Sequence, residues 1–274
     1  MDSAEVQSAA LKQIEKEILK EIIIVCEKLQ LRYYIMGGSL IGAIRHKGFI
    51  PWDDDIDIAM PREDYETFLK EAKSLLPEHL FLQSIWSDSE FLQCFAKVRN
   101  SNTTFVEIPV KNQKMHHGVF VDIFPLDYYP EDPKLQKKYE RKKKLYYRRI
   151  VAKMEFDTRK SFKNKLGDVL IKLLFPSWRS VLKKQDKLYR SVPKSNLFTK
   201  TGGYKNEVIP VSWYGEGTTV TFEDLQVKAP KQYDKLLTHI YGEYMVLPPK
   251  EKQVGHHYTA IMDLEKPYTY YFEK

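Results

Sequence analysis

Four aspartates fall within five positions, Asp53, Asp54, Asp55 and Asp57, between two apolar runs, Phe49-Ile50-Pro51-Trp52 and Ile58-Ala59-Met60. That placement constrains the fold more than any other feature of the chain. Ile56–Met60 reads as a short strand closed by Pro61, and successive strand side chains alternate faces. Asp55 and Asp57 therefore project together, while Ile56 and Ile58 point into a core. Two adjacent ionised carboxylates repel and need a compensating charge. A hard divalent cation supplies one, and magnesium at phosphate sites is held by one or two carboxylates plus substrate oxygens. A solvated acidic turn is the alternative reading, and the apolar flanks argue against it.

Upstream, the β-prone segment Tyr33–Met36 runs into Gly37-Gly38-Ser39, after which Leu40–Arg45 restarts as a helix. Such a turn lets backbone approach an anion, and the helix N-terminus offers free N–H groups to a phosphate. Gly38 and Ser39 are candidate phosphate contacts, with Arg45, His46 and Lys47 close behind. Asp122 lies inside the apolar run Val119–Phe124, where a lone charge is costly to bury. Two partners are open to it: the same metal cluster, or Lys97 and Arg99. Those two bases share one strand face and suit phosphate, Arg as a bidentate fork and Lys as a compact charge.

Around this site the hydrophobic pattern predicts an α+β fold, a mixed sheet with flanking helices. Leu11, Ile14, Ile18, Ile22, Val25 and Leu29 recur at helical spacing. Phe81–Ile85, Phe95–Val98 and Val119–Phe124 read as further strands. A helix follows Pro61 through Leu76. From Pro133 to Arg190 the chain reads as helices broken near 157–163 and at Pro176. Residues 202–217 are loop-rich, and a last helix, Pro230–Tyr241, stops at Gly242. The expected organisation is one domain: a catalytic core over 1–130, a basic helical region over 131–200, and a segment over 201–274 that completes the domain.

Cys26 and Cys94 are too few for a disulfide framework or a four-thiolate zinc site and read as buried thiols. Residues 1–17 lack the apolar core of a signal peptide, and no apolar run approaches the roughly 20 residues of a membrane span. The expectation is a cytoplasmic protein. The net charge is +7, but residues 134–149 alone carry nine basic residues against one acid. The basicity is thus one local feature. It reads either as a solvated face or as a surface drawn to an anionic membrane at its inner face.

Tyr34 to Ile58, reading Y-I-M-G-G-S-L-I-G-A-I-R-H-K-G-F-I-P-W-D-D-D-I-D-I, resembles the signature block of the LicD family, which has the polymerase-β-like nucleotidyltransferase fold and includes fukutin-related protein. Two more blocks are similar: His117-Gly118-Val119-Phe120-Val121-Asp122-Ile123-Phe124-Pro125-Leu126-Asp127, and Tyr241-Gly242-Glu243 through Pro248-Pro249 to His256. The resemblance implies that Gly38 and Ser39 form the family's glycine-serine turn. It makes Asp55 and Asp57 the metal-binding pair, Asp122 the third acid and His256 a substrate contact; Asp53 stands beside the pair without an assigned role. It further implies two Mg2+ ions, with Mn2+ as a substitute, and transfer of phosphocholine or a similar phospho-alcohol from CDP-choline or another CDP-alcohol. The implied acceptor is a hydroxyl of a glycan precursor of teichoic acid, lipopolysaccharide or capsule type, free or lipid-linked. A membrane anchor and cysteine-bound zinc, which mark the family's eukaryotic members, have no counterpart here, which points to its bacterial branch.

Choline would favour aromatic faces, and Trp52, Trp213 and Tyr214 are cage candidates only through the matched blocks. His116-His117 and His256-His257 lack zinc-ligand spacing. Two rival functions share features of the sequence. A true nucleotidyltransferase would use the same acids to place the nucleotide itself. A non-catalytic nucleic-acid-binding protein would use the basic helix, but the chain has no aromatic-interleaved RNA motif, and no nucleic-acid partner is expected.

Overall fold

The structure, a computed structural model, describes residues 3–154, 162–203, 205–255 and 259–272. In chain order the elements are α1 (Ser3–Leu29), β1 (Tyr34–Ile35), α2 (Gly37–Arg45), β2 (Asp57–Pro61), α3 (Arg62–Glu71), β3 (Leu80–Gln83), β4 (Ala96–Asn100), β5 (Thr104–Glu107) and β6 (Phe120–Tyr128). There follow α4 (Pro133–Val151), α5 (Phe162–Leu174), α6 (Trp178–Arg190), β7 (Leu197–Lys200), β8 (Val208–Pro210), α7 (Val211–Tyr214), β9 (Thr218–Phe222), β10 (Leu225–Ala229), α8 (Tyr233–Tyr241), β11 (Thr259–Asp263) and α9 (Thr269–Phe272).

The fold is α+β, built on a mixed sheet with flanking helices. Its path is β1-β2-β6-β4-β3, with β7 joined to β6 and β8 to β7. Among the described strands of this sheet, β2 and β6 pair in parallel and the other pairs are antiparallel. β6 is the spine of the sheet. Its residues 120–123 pair with β4, 122–126 with β2 and 126–128 with β7. Phe120 to Asp127 are buried throughout, as expected of a strand with neighbours on both edges and cover on both faces. Two ribbons flank the sheet, the β9–β10 hairpin and the β5–β11 pair.

The stripe on α1 packs on β4 and β6, with Leu11, Ile18, Ile22 and Val25 buried and Ile14 and Leu29 at its margin. Pro61 closes β2 and stands at the N-cap of α3, whose first turn carries Glu63 and Asp64, complementing the helix dipole. Asp132 caps α4 by accepting from the N–H groups of Lys134 and Leu135, with Pro133 behind it, and Ser177 caps α6 just after Pro176. Gly242 ends α8 at φ +69°. α4 and α6 enclose a second apolar cluster that includes Tyr139, Ile150, Val181, Leu182, Tyr189 and Cys94. Both cysteines are buried. No helix among the described residues is long and apolar enough to cross a membrane.

His116 and His117, in the loop before β6, are buried. The His116 ring stacks on Phe81 with centroids 4.9 Å apart, and its Nδ1 accepts from the Gly118 N–H at 3.1 Å. Burial, with Arg99 and His117 nearby, depresses this imidazole from 6.5 to about 3. A depressed base is neutral in the fold but takes up a proton when unfolded. Its contribution to stability is therefore complete above pH 6.5 and lost as pH falls toward 3. Wild-type melting temperature should drop across that window, and His116→Phe should flatten the drop.

Candidate active site

Parallel pairing sets Asp57 of β2 opposite Asp122 of β6. On the other edge of β6, Asp122 is opposite Lys97 of β4, which in turn faces Gln83 of β3. Register partners share a face of the sheet, so Asp57, Asp122, Lys97 and Gln83 form one row across four strands. Lys97 Nζ lies 3.1 Å from Asp122 Oδ1 and 3.3 Å from Glu107 Oε2, and 3.2 Å from the centroid of the Phe120 ring. Asp122 thus pairs with Lys97, one of the partners the sequence left open, and sits in register with Asp57.

The same geometry places Lys97 and Arg99, read from the sequence as phosphate contacts, in ion pairs within the sheet. Lys97 is 3% exposed and committed to Asp122 and Glu107, while Arg99 is 0% exposed. Arg99 donates to Gln83 Oε1, to the Gly118 carbonyl at 2.7 Å and to Glu107 Oε2 at 3.3 Å. Sharing a face does align the two bases, and both meet Glu107 there.

The acidic loop folds against the glycine turn. Gly37 has φ +60°, a conformation that costs glycine little. A Cβ on Gly37 would sit 2.8 Å from Asp57 Oδ2, and one on Gly38 would collide with Asp53 Oδ2. The two glycines therefore make room for two carboxylates. Ser39 Oγ accepts the Asp57 N–H at 2.9 Å, and the Met36 N–H donates to the Asp57 carbonyl at 3.0 Å. Ser39 thus positions the acid strand through its backbone. In Asp53, Asp54 and Asp55, one oxygen from each carboxylate lies within 4.8 Å of the others. Asp53 is buried and the other two are partly so. Three hard oxygen donors this close, on a loop whose crowding the glycines permit, fit a divalent cation. Gly38→Ala should displace Asp53 and lower kcat/KM by about a hundredfold, the scale of a misplaced reacting group. Little change in melting temperature is expected, and wild-type turnover would show that the close approach is dispensable.

The loop is held from several sides. From α1, Lys12 Nζ donates to the carbonyls of Ile50 and Pro51 at 3.3 and 2.7 Å. Glu15 lies behind it, 2% exposed, with no hydrogen-bond partner for Oε2 among the described residues. Burial, followed by the charges of Asp55 and Asp54, pushes its carboxyl well up. From the β9–β10 hairpin, the Glu223 N–H donates to the Lys47 carbonyl and Glu223 Oε1 accepts the Phe49 N–H. From the C-terminal side, Gly255 closes on Asp54: a Cβ there would sit 2.8 Å from Asp54 Oδ2. Tyr241, 45% exposed as a whole, lines a small cavity with Met36, Gly37 and Glu207; desolvation of its hydroxyl and then the charges of Glu207, Asp57, Asp53 and Asp55 push that hydroxyl up, so it remains a donor.

Other sequence candidates occupy less direct positions. Arg45 Nη1 donates to the Tyr244 carbonyl at 2.6 Å and its Nε to His46 at 2.9 Å, so it fastens the tail after α8 to the end of α2. His46 stands edge-on to Trp52 at 6.5 Å. Tyr214 is buried against Tyr34 and Phe198 and presents no face for choline; Trp213 meets His239 edge-on. His256 and His257 lie outside the described residues. Sequence reasoning left Asp53 without a role and passed over Glu15 and Tyr241. Glu15 carried a signal, since it interrupts the apolar stripe of α1 one residue after Ile14.

Residues 30–157 match the model of the family described as LicD/FKTN/FKRP, nucleotidyltransferase domain. The chain is 31% identical over 245 residues to the lipopolysaccharide cholinephosphotransferase LicD of Haemophilus influenzae, covering 85% of this chain and 89% of that protein. It is 28% identical over 116 residues to the uncharacterized protein RP689 of Rickettsia prowazekii, covering 42% of this chain and 40% of that one. A shorter stretch of 49 residues is 43% identical to the human ribitol 5-phosphate transferase FKRP, covering 18% of this chain and 10% of that protein.

Proposed function

Since the chain belongs to the LicD family of phosphotransferases, we propose that it transfers phosphocholine, or a similar phospho-alcohol, from a CDP-linked donor to a hydroxyl of a cell-surface glycan precursor. The observation that carries this reading is the convergence of Asp53, Asp54 and Asp55 in one loop beside Asp57 and its register partner Asp122. Asp55, Asp57 and Asp122 would hold magnesium ions, with Asp53 as a further ligand. The ions, when bound, supply the positive charge that a diphosphate and an attacking oxygen need in an in-line displacement.

The chain's own part is positioning and charge. Ser39 fixes the backbone of Asp57, and Lys97 gives Asp122 a counter-charge from within the sheet. Asp122 accepts the proton of the acceptor hydroxyl as general base. The Tyr241 hydroxyl donates to the donor's phosphate oxygens. Little covalent work is left to the protein in phosphoryl transfer, so these placements account for most of the rate. The acceptor is of teichoic acid, lipopolysaccharide or capsule type, and the reaction takes place in the cytoplasm at the inner face of the membrane, where lipid-linked glycan precursors are presented.

A thermal-shift series with CDP-choline, CDP-ribitol, CDP-glycerol and ATP tests the donor. A ligand of the folded state raises the melting temperature, and the rise should require Mg2+ and be largest for one CDP-alcohol. Donor labelled in the alcohol or in the cytidine then separates the chemistries. Alcohol label on the acceptor with release of CMP is the expected product. Cytidine label on the acceptor would make the protein a nucleotidyltransferase instead.

A further inference from the structure

α5 lies against α4, with Arg148 reaching Asp168 at 3.9 Å. Its outer face is apolar and open to solvent: Val169 is 54% exposed, Leu170 53%, Leu173 72% and Leu174 73%, while Ile171 turns inward. A cluster of large side chains this exposed on one helix marks a binding surface. Beside it, α4 presents seven exposed bases, Lys134, Lys137, Lys138, Arg141, Lys142, Lys144 and Arg148. The other two bases of that helix have internal duties. Lys143 bonds the Gly203 carbonyl and Glu140, and Arg149 is buried, donating to the carbonyls of Phe175 and Pro176 just past α5. Arg149 thus ties the leucine-bearing end of α5 to the basic helix.

We infer that α4 and α5 together form a docking surface for an anionic lipid bilayer, with Leu170, Leu173 and Leu174 entering the acyl boundary and the bases of α4 resting on the headgroups. The pairing of an apolar insertion with a polybasic face is what stable peripheral attachment requires, since either signal alone is marginal. Each base near an anionic surface adds attraction that falls off within a Debye length. Charge selects lipid over the other occupants. Five of the seven exposed bases are lysines, a residue depleted from protein–protein interfaces. A phosphate backbone would meet the bases but leave the leucines in water. The inference rests on the proposed function only for its purpose, which is to bring the site to a lipid-linked acceptor; binding is read without turnover.

The test is sedimentation of the full chain with vesicles of phosphatidylcholine alone or mixed with phosphatidylglycerol, at low and high salt. Binding is expected to the mixed vesicles only, and to weaken as salt rises. Leu173→Ser/Leu174→Ser should lower the partition coefficient at least about tenfold, and Lys142→Glu/Lys144→Glu should lower it comparably and remove the salt dependence. These side chains are exposed and far in sequence from the acidic loop, so turnover of a soluble donor with a soluble acceptor should be unchanged in both variants. No sedimentation with phosphatidylglycerol vesicles at low salt overturns the inference, as does binding that both variants leave intact. Salt-sensitive RNA binding without vesicle binding overturns it too, in favour of a nucleic-acid surface.

Discussion

Asp57→Asn should abolish transfer while the protein stays folded. The substitution keeps the shape that fits against Gly37 and keeps the backbone N–H that Ser39 accepts, so only the charge is lost. Removing one preorganised electrostatic group from a site of this kind costs on the order of 10²–10³ in kcat, and loss of a metal ligand compounds it. Melting temperature should hold or rise slightly, because an amide relieves repulsion among crowded carboxylates and functional sites commonly trade stability for activity. Steady-state transfer from CDP-choline and thermal melts on the same preparation decide the matter. A folded Asp57→Asn protein with kcat/KM near that of wild type would remove Asp57 from the chemistry. The parallel variant Asp122→Asn distinguishes roles: it also leaves buried Lys97 with Glu107 in place of two carboxylates, so it should lose both activity and stability.

The part of this site legible in the sequence was the part written in local period and local crowding. Alternation along Ile56–Met60 predicted a short strand with Ile56 and Ile58 turned inward, and β2 forms one residue later, as Asp57–Pro61, with both isoleucines buried. The stripe on α1, the strands around Phe81, Phe95 and Val119, and the stops at Pro61, Pro176 and Gly242 followed from the same rules. What was not legible depends on who sits beside whom. Strand spacing showed that Lys97 and Arg99 share a face but not what meets them there; Glu107, on a strand absent from the sequence reading, pairs with both. β5, β7 and β8 are three or four residues long and lean on partners distant in the chain, so their own pattern is too short to declare them. The approach of Gly255 to Asp54 is invisible for the same reason, although the resemblance of the tail block hinted that it returns to the site.

Arg62→Ala should be strongly destabilising, and nothing in the sequence marked it. Arg62 opens α3 and donates through Nε and Nη2 to both oxygens of Asp127 on β6, each at 2.7 Å. Its Nη1 reaches Glu66 at 3.1 Å and Asp186 of α6 at 3.4 Å. Arg190 closes the network on Glu66 and Asp186 at 2.8 and 2.7 Å. Asp127 is 1% exposed, so loss of its fork leaves a buried charge without compensation. Removing one member of a buried pair costs about 3–5 kcal/mol, which for a chain of this size is a fall of roughly 10 °C in melting temperature. The pH dependence carries a signature of the cause. Burial already raises the carboxyls of Asp127 and Asp186, with Arg62 the main charge opposing it; without Arg62 both rise further. An acid raised in the fold loses stability as pH climbs through its folded value and recovers it below the unfolded one. The gap between Arg62→Ala and wild type should therefore be widest at neutral pH and narrow toward pH 4. Arg62→Lys should fall between the two, because it keeps the charge and loses the fork. Melts of Arg62→Ala within a degree or two of wild type at neutral pH would show that the network joining α3, β6 and α6 contributes nothing to holding the helical region against the sheet.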